Sequence, residues 1–193
     1  EVLYFAHDSH WNCKGAALGA DCINAALGKE SSYYLDAFSE KISHRGDLYD
    51  MLYPAFADPE KGVVYSGKLA FTYTSKATKP DSNTLTTQSS LDGSLLCYRD
   101  SFGNLLYPYL AASFGQCRFS RAVSYDLTLP SDAVVIELVE RNLPYLMKYL
   151  PVMEAPQRQI TASVSCGTVT LKQNANGALL RVTGTLPVQP DAQ

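Results

Sequence analysis

The stretch from Ser94 to Leu150 restricts the fold more than any other part of the chain. "SLLCYRD" (94–100) is an apolar run of strand length, and "SFGNLLYPYLAASFG" (101–115) spaces its apolar residues as a helix does. "CRFSRAVSYD" (117–126) and "DAVVIELVERN" (132–142) read as two further strands, and "LPYLMKYL" (143–150) as a helix. Strands and helices alternating at these lengths bury their apolar faces by stacking in layers, which predicts βαβ units. The expectation is an α/β fold with a mainly parallel sheet flanked by helices. Pro108 lacks the N–H that a helix interior uses, so a loose first turn, or a regular helix beginning at Pro108, is expected there.

Upstream, "VLYFA" (2–6) has strand character, and the segment from Trp11 to Lys29 places Ala17, Leu18, Ile23, Ala26 and Leu27 at near-helical spacing. "GDLYDMLYP" (46–54) predicts a short helix stopped by Pro54, and "GVVYSGKLAFTYT" (62–74) has the β-branched and aromatic content of strands. Lys76 to Ser90 is rich in Ser, Thr, Asn, Asp and Pro and reads as a long loop or an exposed hairpin. Past Pro156 the pattern changes to a period of two around Asn174–Gly177, which predicts a small antiparallel β segment followed by a tail. The expected division is therefore a main domain over residues 1–156 and a C-terminal β hairpin or meander over 157–193.

At 193 residues and 46% hydrophobic content the chain can bury one full core. A net charge of -3, with 16 basic residues scattered along it, gives no footprint for a phosphate backbone, so nucleic acid is not an expected partner. No apolar stretch approaches the roughly 20 residues of a membrane span. The sequence begins inside what reads as a strand, which predicts a processing boundary. The five cysteines (13, 22, 97, 117 and 166) are odd in number and lack CxxC pairing, so they are expected mostly as small buried apolar residues.

The chemistry centres on "DSHWN" (Asp8–Asn12), where a carboxylate and an imidazole stand two residues apart beside the single tryptophan. Residues at that spacing in extended chain point to the same side. Three readings are open. In the first, Asp8 satisfies a half-buried His10 and Trp11 joins the core. In the second, "DSH" with "GDLYD" (46–50) opens like a two-metal phosphoesterase, whose two ligand shells need an asparagine and several histidines; the chain has only His7, His10 and His44. In the third, Asp8 fixes the tautomer of His10, and His10 takes a proton from a serine elsewhere. Ser101 is the candidate, since it stands where an apolar strand gives way to a helix. At the helix N-cap it would lie beside free backbone N–H groups and the positive dipole end, with Gly103 leaving the approach open. A plain N-cap serine, worth about 1 kcal/mol, explains the same position without chemistry.

Together "DSHWN" with its Gly- and Ala-rich helix, "GDLYDML", "YRDSFGNLLYPYLAASF" and "DAVVIELVERNL" resemble the permuted SGNH-type family that includes the alginate O-acetyltransferases and the DHHW-type proteins of cell envelopes. The four motifs occur in order over about residues 4–150, with the Asp/His block ahead of the serine block. The resemblance implies Ser101 as nucleophile, His10 as general base and acid, and Asp8 as its orienting carboxylate. "RDS" stands where the family has G-D-S, and "VERN" where SGNH enzymes carry G-x-N-D. Asn142 is thus expected in the oxyanion role, with Arg141 or Glu140 as pocket alternatives and Gly103 beside them. Arg99 and Asp100 are expected to pair with Glu140 and Arg141 as an internal lock.

The implied activity is acetyl transfer or ester hydrolysis on a cell-envelope polysaccharide, with no metal or soluble cofactor and with envelope biosynthesis proteins as partners. An extracellular or envelope location follows from the same resemblance. The alternatives are a catalytically idle polysaccharide-binding or assembly protein on this fold, and the two-metal phosphoesterase.

Overall fold

The strand β5 (Ser94–Arg99) organises the molecule, because Leu95, Leu96, Cys97, Tyr98 and Arg99 are all buried and it packs on both faces. The structure, a computed structural model, describes residues 2–55, 59–154, 170–176 and 179–185. In chain order the elements before β5 are α1 (Cys13–Ala26), β1 (Phe38–His44), α2 (Asp47–Leu52), β2 (Glu60–Tyr65), β3 (Thr72–Tyr73) and β4 (Thr84–Gln88). After it come α3 (Gly103–Ala111), β6 (Gln116–Ser120), β7 (Ala133–Glu137), α4 (Pro144–Lys148), β8 (Thr170–Asn176) and β9 (Leu179–Thr185).

The main sheet has the order β3-β4-β6-β5-β7. β5 runs parallel to β6 and β7, while β4 is antiparallel to both β3 and β6. The fold is thus α/β with a mixed sheet, which corrects the expectation of a mainly parallel one. The cause is β4, drawn from the Ser- and Thr-rich stretch that reads as a long loop or an exposed hairpin and that pairs antiparallel with β3. Threonine suits a pleated strand, and Leu85 and Thr87 alternate inward while Gln88 faces out. A chain returning directly from β3 can only pair antiparallel, since a parallel return needs a crossover.

One face of the sheet carries the larger core, in which Leu85, Leu95, Cys97 and Phe119 meet Ala17 and Ala20 of α1 and Leu106 and Leu110 of α3. The other face, around Leu96 and Tyr98, is covered by Tyr125, Leu127 and Leu129 from the irregular chain after β6, and by Leu146 of α4. Helices therefore form a full layer on one side only.

Asn12 starts α1: its side-chain oxygen accepts from the N–H groups of Lys14 (2.9 Å) and Gly15 (3.0 Å). Past its other end Gly28 takes φ +71°, the left-handed turn that lets a helix stop without strain. α3 continues through Pro108 instead of beginning there. The expected strand at 2–6 reduces to one bridge between Tyr4 and Trp11, because no neighbouring strand pairs with it and Val2 and Tyr4 stay exposed. Phe5 N–H to the His10 carbonyl (3.3 Å) and Asn12 N–H to the Leu3 carbonyl (2.9 Å) fold this segment back on itself as a loop.

β1 and β2 make a separate antiparallel ribbon whose register shifts between Ile42 and His44. β8 and β9 form an antiparallel pair, in keeping with the period-two pattern. The rest of the C-terminal segment, including Cys166 and the tail, lies outside the described residues. Cys97 and Cys117 are buried, Cys13 is half-buried, and Cys22 is exposed; all four are free thiols. Among the described residues no helix is long and apolar enough to cross a membrane.

Candidate active site

The loop 5–12 and the turn from β5 into α3 meet at His10. Its Nδ1 lies 2.7 Å from Asp8 Oδ1 and its Nε2 lies 2.8 Å from Ser101 Oγ. Asp8, His10 and Ser101, chosen from opposite parts of the sequence, are thus in one hydrogen-bonded row. The Asp8 side chain is 7% exposed and that of His10 24%.

Asp8 is held on both oxygens. Oδ1 also accepts from the His10 backbone N–H at 2.8 Å, while Oδ2 meets His44 Nε2 at 2.8 Å and the Asp47 N–H at 3.2 Å. Burial works to raise the carboxyl, but these donors, His10 foremost, outweigh it and hold Asp8 at about 2. It is a carboxylate at every physiological pH.

Ser101 does not serve as a helix cap. Phe102 occupies the N-cap position with no side-chain cap, and Asp100 Oδ1 instead accepts the Phe102 N–H at 2.9 Å. The ordinary explanation for a serine at this position is therefore absent, and its hydroxyl points to His10. Asp100 Oδ2 accepts from the Val139 N–H and from Asn142 Nδ2, both at 2.8 Å, tying the serine turn to the chain after β7. The Ser101 N–H meets no acceptor among the described residues.

The remaining expected residues surround this row. Asn142 directs its amide to Asp100, so its interaction with the serine is indirect. Arg141 stands with its guanidinium 5.8 Å from the centre of the Phe102 ring, and Glu140 is exposed at the start of a 3-10 turn. Gly103 is buried; a Cβ there would come within 2.6 Å of Arg99 Cβ, so the glycine makes room for that arginine. Arg99 bonds Asn104 Oδ1 (2.5 Å) and the carbonyl of Pro80 (2.6 Å), and the expected lock between Arg99–Asp100 and Glu140–Arg141 is made by Asp100 and Asn142 instead. The reason is reach: Arg99 points into the protein, where its two terminal nitrogens bond neutral oxygens.

A cleft of about 630 Å³ opens beside this row, bounded by Tyr4, Ser9, Trp11, Phe102, Glu137 and Arg141. A second hollow of about 420 Å³ is lined by Thr86, Ser94 and Arg118; neither hollow has Asp8, His10 or Ser101 among its lining residues, and the first is bounded by their chain neighbours Ser9, Trp11 and Phe102.

Four further residues stand at the site, and of these only Asp47 carries a local signal in the sequence. His44 and Glu60 come from the β1–β2 ribbon; Glu60 accepts the N–H groups of Ala6 (2.7 Å) and His7 (3.1 Å). The Asp47 carboxylate accepts from the Ser9 N–H (2.8 Å) and the Ser9 hydroxyl (2.5 Å). Glu137 accepts from the Asp100 N–H at 3.3 Å, and burial, aided by the negative charge of Asp100, pushes it up to about 7. The "GDLYD" motif was the available hint for Asp47, through its resemblance to a metal pattern.

Asp8, His10 and Asp47 present ligand atoms within 4.8 Å of one another. One cation fits such a set; a pair does not, since among the described residues no second group of this kind exists. Each of the three is also already engaged in the hydrogen bonds above.

Gly46 keeps the loop in place. A Cβ on it would lie 1.9 Å from the His7 carbonyl oxygen, with Asp8 N 3.0 Å away. Gly46→Ala is expected to displace the Asp8 loop and to lower stability by about 1–3 kcal/mol, read from a urea midpoint.

No family model matches this sequence, and no curated protein sequence matches it. Solved structures do. A DHHW family protein from Eubacterium siraeum superimposes with a TM-score of 0.59 over 79% of this chain at 16% identity. Bacillus cereus PatB1 superimposes with a TM-score of 0.54 over 74% of this chain at 20% identity, and its structure with a sulfonyl adduct with a TM-score of 0.53. The chain spans 66% of the DHHW protein and 64% of PatB1, less than two thirds of each. The protein shares its fold with the DHHW family protein from E. siraeum and with PatB1.

Proposed function

We propose that the protein transfers or hydrolyses an acyl ester at Ser101, with a cell-envelope polysaccharide as the substrate class. The observation that carries this reading is the position of His10, within hydrogen-bond reach of Asp8 on one ring nitrogen and Ser101 on the other. With its Nδ1–H given to Asp8, the neutral imidazole offers Nε2 as a proton acceptor to the serine hydroxyl.

In the proposed reaction Ser101 Oγ forms a bond to the ester carbonyl carbon as its proton passes to His10 Nε2. The tetrahedral adduct collapses, the carbon–oxygen bond to the leaving alcohol breaks, and His10 returns the proton to that alcohol. An acyl-serine remains. A sugar hydroxyl or water then gives its proton to His10 and bonds to the acyl carbon, the bond from that carbon to Ser101 Oγ breaks, and His10 returns the proton to Oγ. The Ser101 N–H is the donor for the oxyanion, and the aromatic wall of Tyr4, Trp11 and Phe102 suits the apolar face of a sugar ring.

The polysaccharide, the acetyl group and the envelope location come from the resemblance of the four motifs. The sulfonyl adduct of PatB1 supports a test, since a sulfonyl fluoride captures an activated serine: the serine oxygen bonds to sulfur and fluoride leaves with the proton. Treatment with phenylmethylsulfonyl fluoride followed by peptide mass mapping is expected to find one sulfonyl group on Ser101. A protein left unlabelled under conditions that label a known serine hydrolase would point to the idle, polysaccharide-binding alternative.

A further inference from the structure

We propose that His44 is a positioning residue for this site, holding one oxygen of Asp8 so that the other meets His10; the inference rests on the acyl-transfer reading above. Among the described residues the loop that carries Asp8 pairs with no strand and is closed by the bridge between Tyr4 and Trp11. Its placement comes from the β1–β2 ribbon. Glu60 binds the Ala6 and His7 N–H groups with its two oxygens, and the Tyr49 N–H reaches the His7 carbonyl at 3.2 Å.

These contacts fix the backbone; the Asp8 carboxylate is oriented by His10 on Oδ1 and, on Oδ2, by the Asp47 N–H and His44. His44 is the side-chain donor on that second oxygen. Its Nε2 reaches Asp8 Oδ2 at 2.8 Å, closer than the Asp47 N–H at 3.2 Å. Two features aim the ring. The register shift between Ile42 and His44 redirects the end of β1, as bulges beside sites commonly do. Phe5 stacks on the imidazole with centroids 3.6 Å apart and planes within 11°. A donor is therefore delivered from across the fold to the far side of the carboxylate.

Two substitutions separate hydrogen bonding from stacking. His44→Phe keeps an aromatic ring for Phe5 and loses the donor; His44→Gln keeps a neutral N–H donor at similar reach. For hydrolysis of an aryl acetate, His44→Phe is expected to lower kcat about ten- to a hundredfold, the weight of one hydrogen bond to a charged group, with KM within about twofold. The rate of sulfonylation at Ser101 should fall in parallel. His44→Gln is expected to recover most of both. A His44→Phe protein whose kcat and labelling rate stay within about twofold of wild type overturns the proposal, as does a His44→Gln protein as slow as His44→Phe. Failure of wild type itself to label at Ser101 is a separate result and removes the acyl-transfer reading beneath it.

Discussion

Ser101→Ala is expected to lower ester turnover by about 10⁴–10⁶-fold, the scale on which serine nucleophiles are lost in enzymes of this kind. The accompanying stability measurement makes the result informative. A serine that merely capped α3 would cost about 1 kcal/mol on replacement and leave chemistry untouched. Here Phe102 holds the N-cap position and Asp100 takes the Phe102 N–H, so the hydroxyl supports no helix end. The urea midpoint of Ser101→Ala should therefore stay near wild type while turnover collapses. The reverse pattern, a shifted midpoint with turnover intact, would return Ser101 to a structural role.

Asp8→Asn is expected to cost about 10⁴-fold in kcat, because an amide no longer fixes the imidazole tautomer. It is nearly isosteric, yet every neighbour of Asp8 at this site is a donor: the His10 ring and N–H, His44 and the Asp47 N–H. An amide must turn its own NH₂ toward one of them. The same residue links activity to acid stability. Its folded value, about 2, lies below the ordinary carboxylate value of 3.8, so Asp8 contributes stability that is fully present above that ordinary value and is lost as pH falls through the folded one. The contribution is about 2 kcal/mol by proton linkage. Urea midpoints of wild type and Asp8→Asn should accordingly converge between about pH 5 and pH 2. Curves that stay parallel over that window would show that the donors around Asp8 do not bind it as the geometry implies.

Local patterns carried a good deal of the site. The two-residue spacing of Asp8 and His10 and the strand-to-helix junction at Ser101 are features of short segments, and the structure brings those three residues together. The helices α1, α2, α3 and α4 follow apolar spacing and were equally legible. His44, Glu60 and Glu137 were not, and Asp47 showed only through "GDLYD" as part of a metal pattern. Each reaches the site by pairing or packing over a long separation, as His44 does to Asp8 across 36 positions, and no short-range periodicity encodes such a meeting. β4 stayed open between loop and exposed hairpin for a related reason: its threonines are polar enough to fit either, and its partners on both sides make them a strand.

The order of motifs, the alternation of strands and helices and the identity of the three aligned residues are thus properties of the chain, because they depend on neighbours within a few positions. The mixed sheet, the turning of Asn142 to Asp100 and the support of Asp8 by His44 belong to the folded molecule. They arise where segments far apart in sequence satisfy each other's donors and acceptors, and that choice exists only once the core has brought them within about 3 Å.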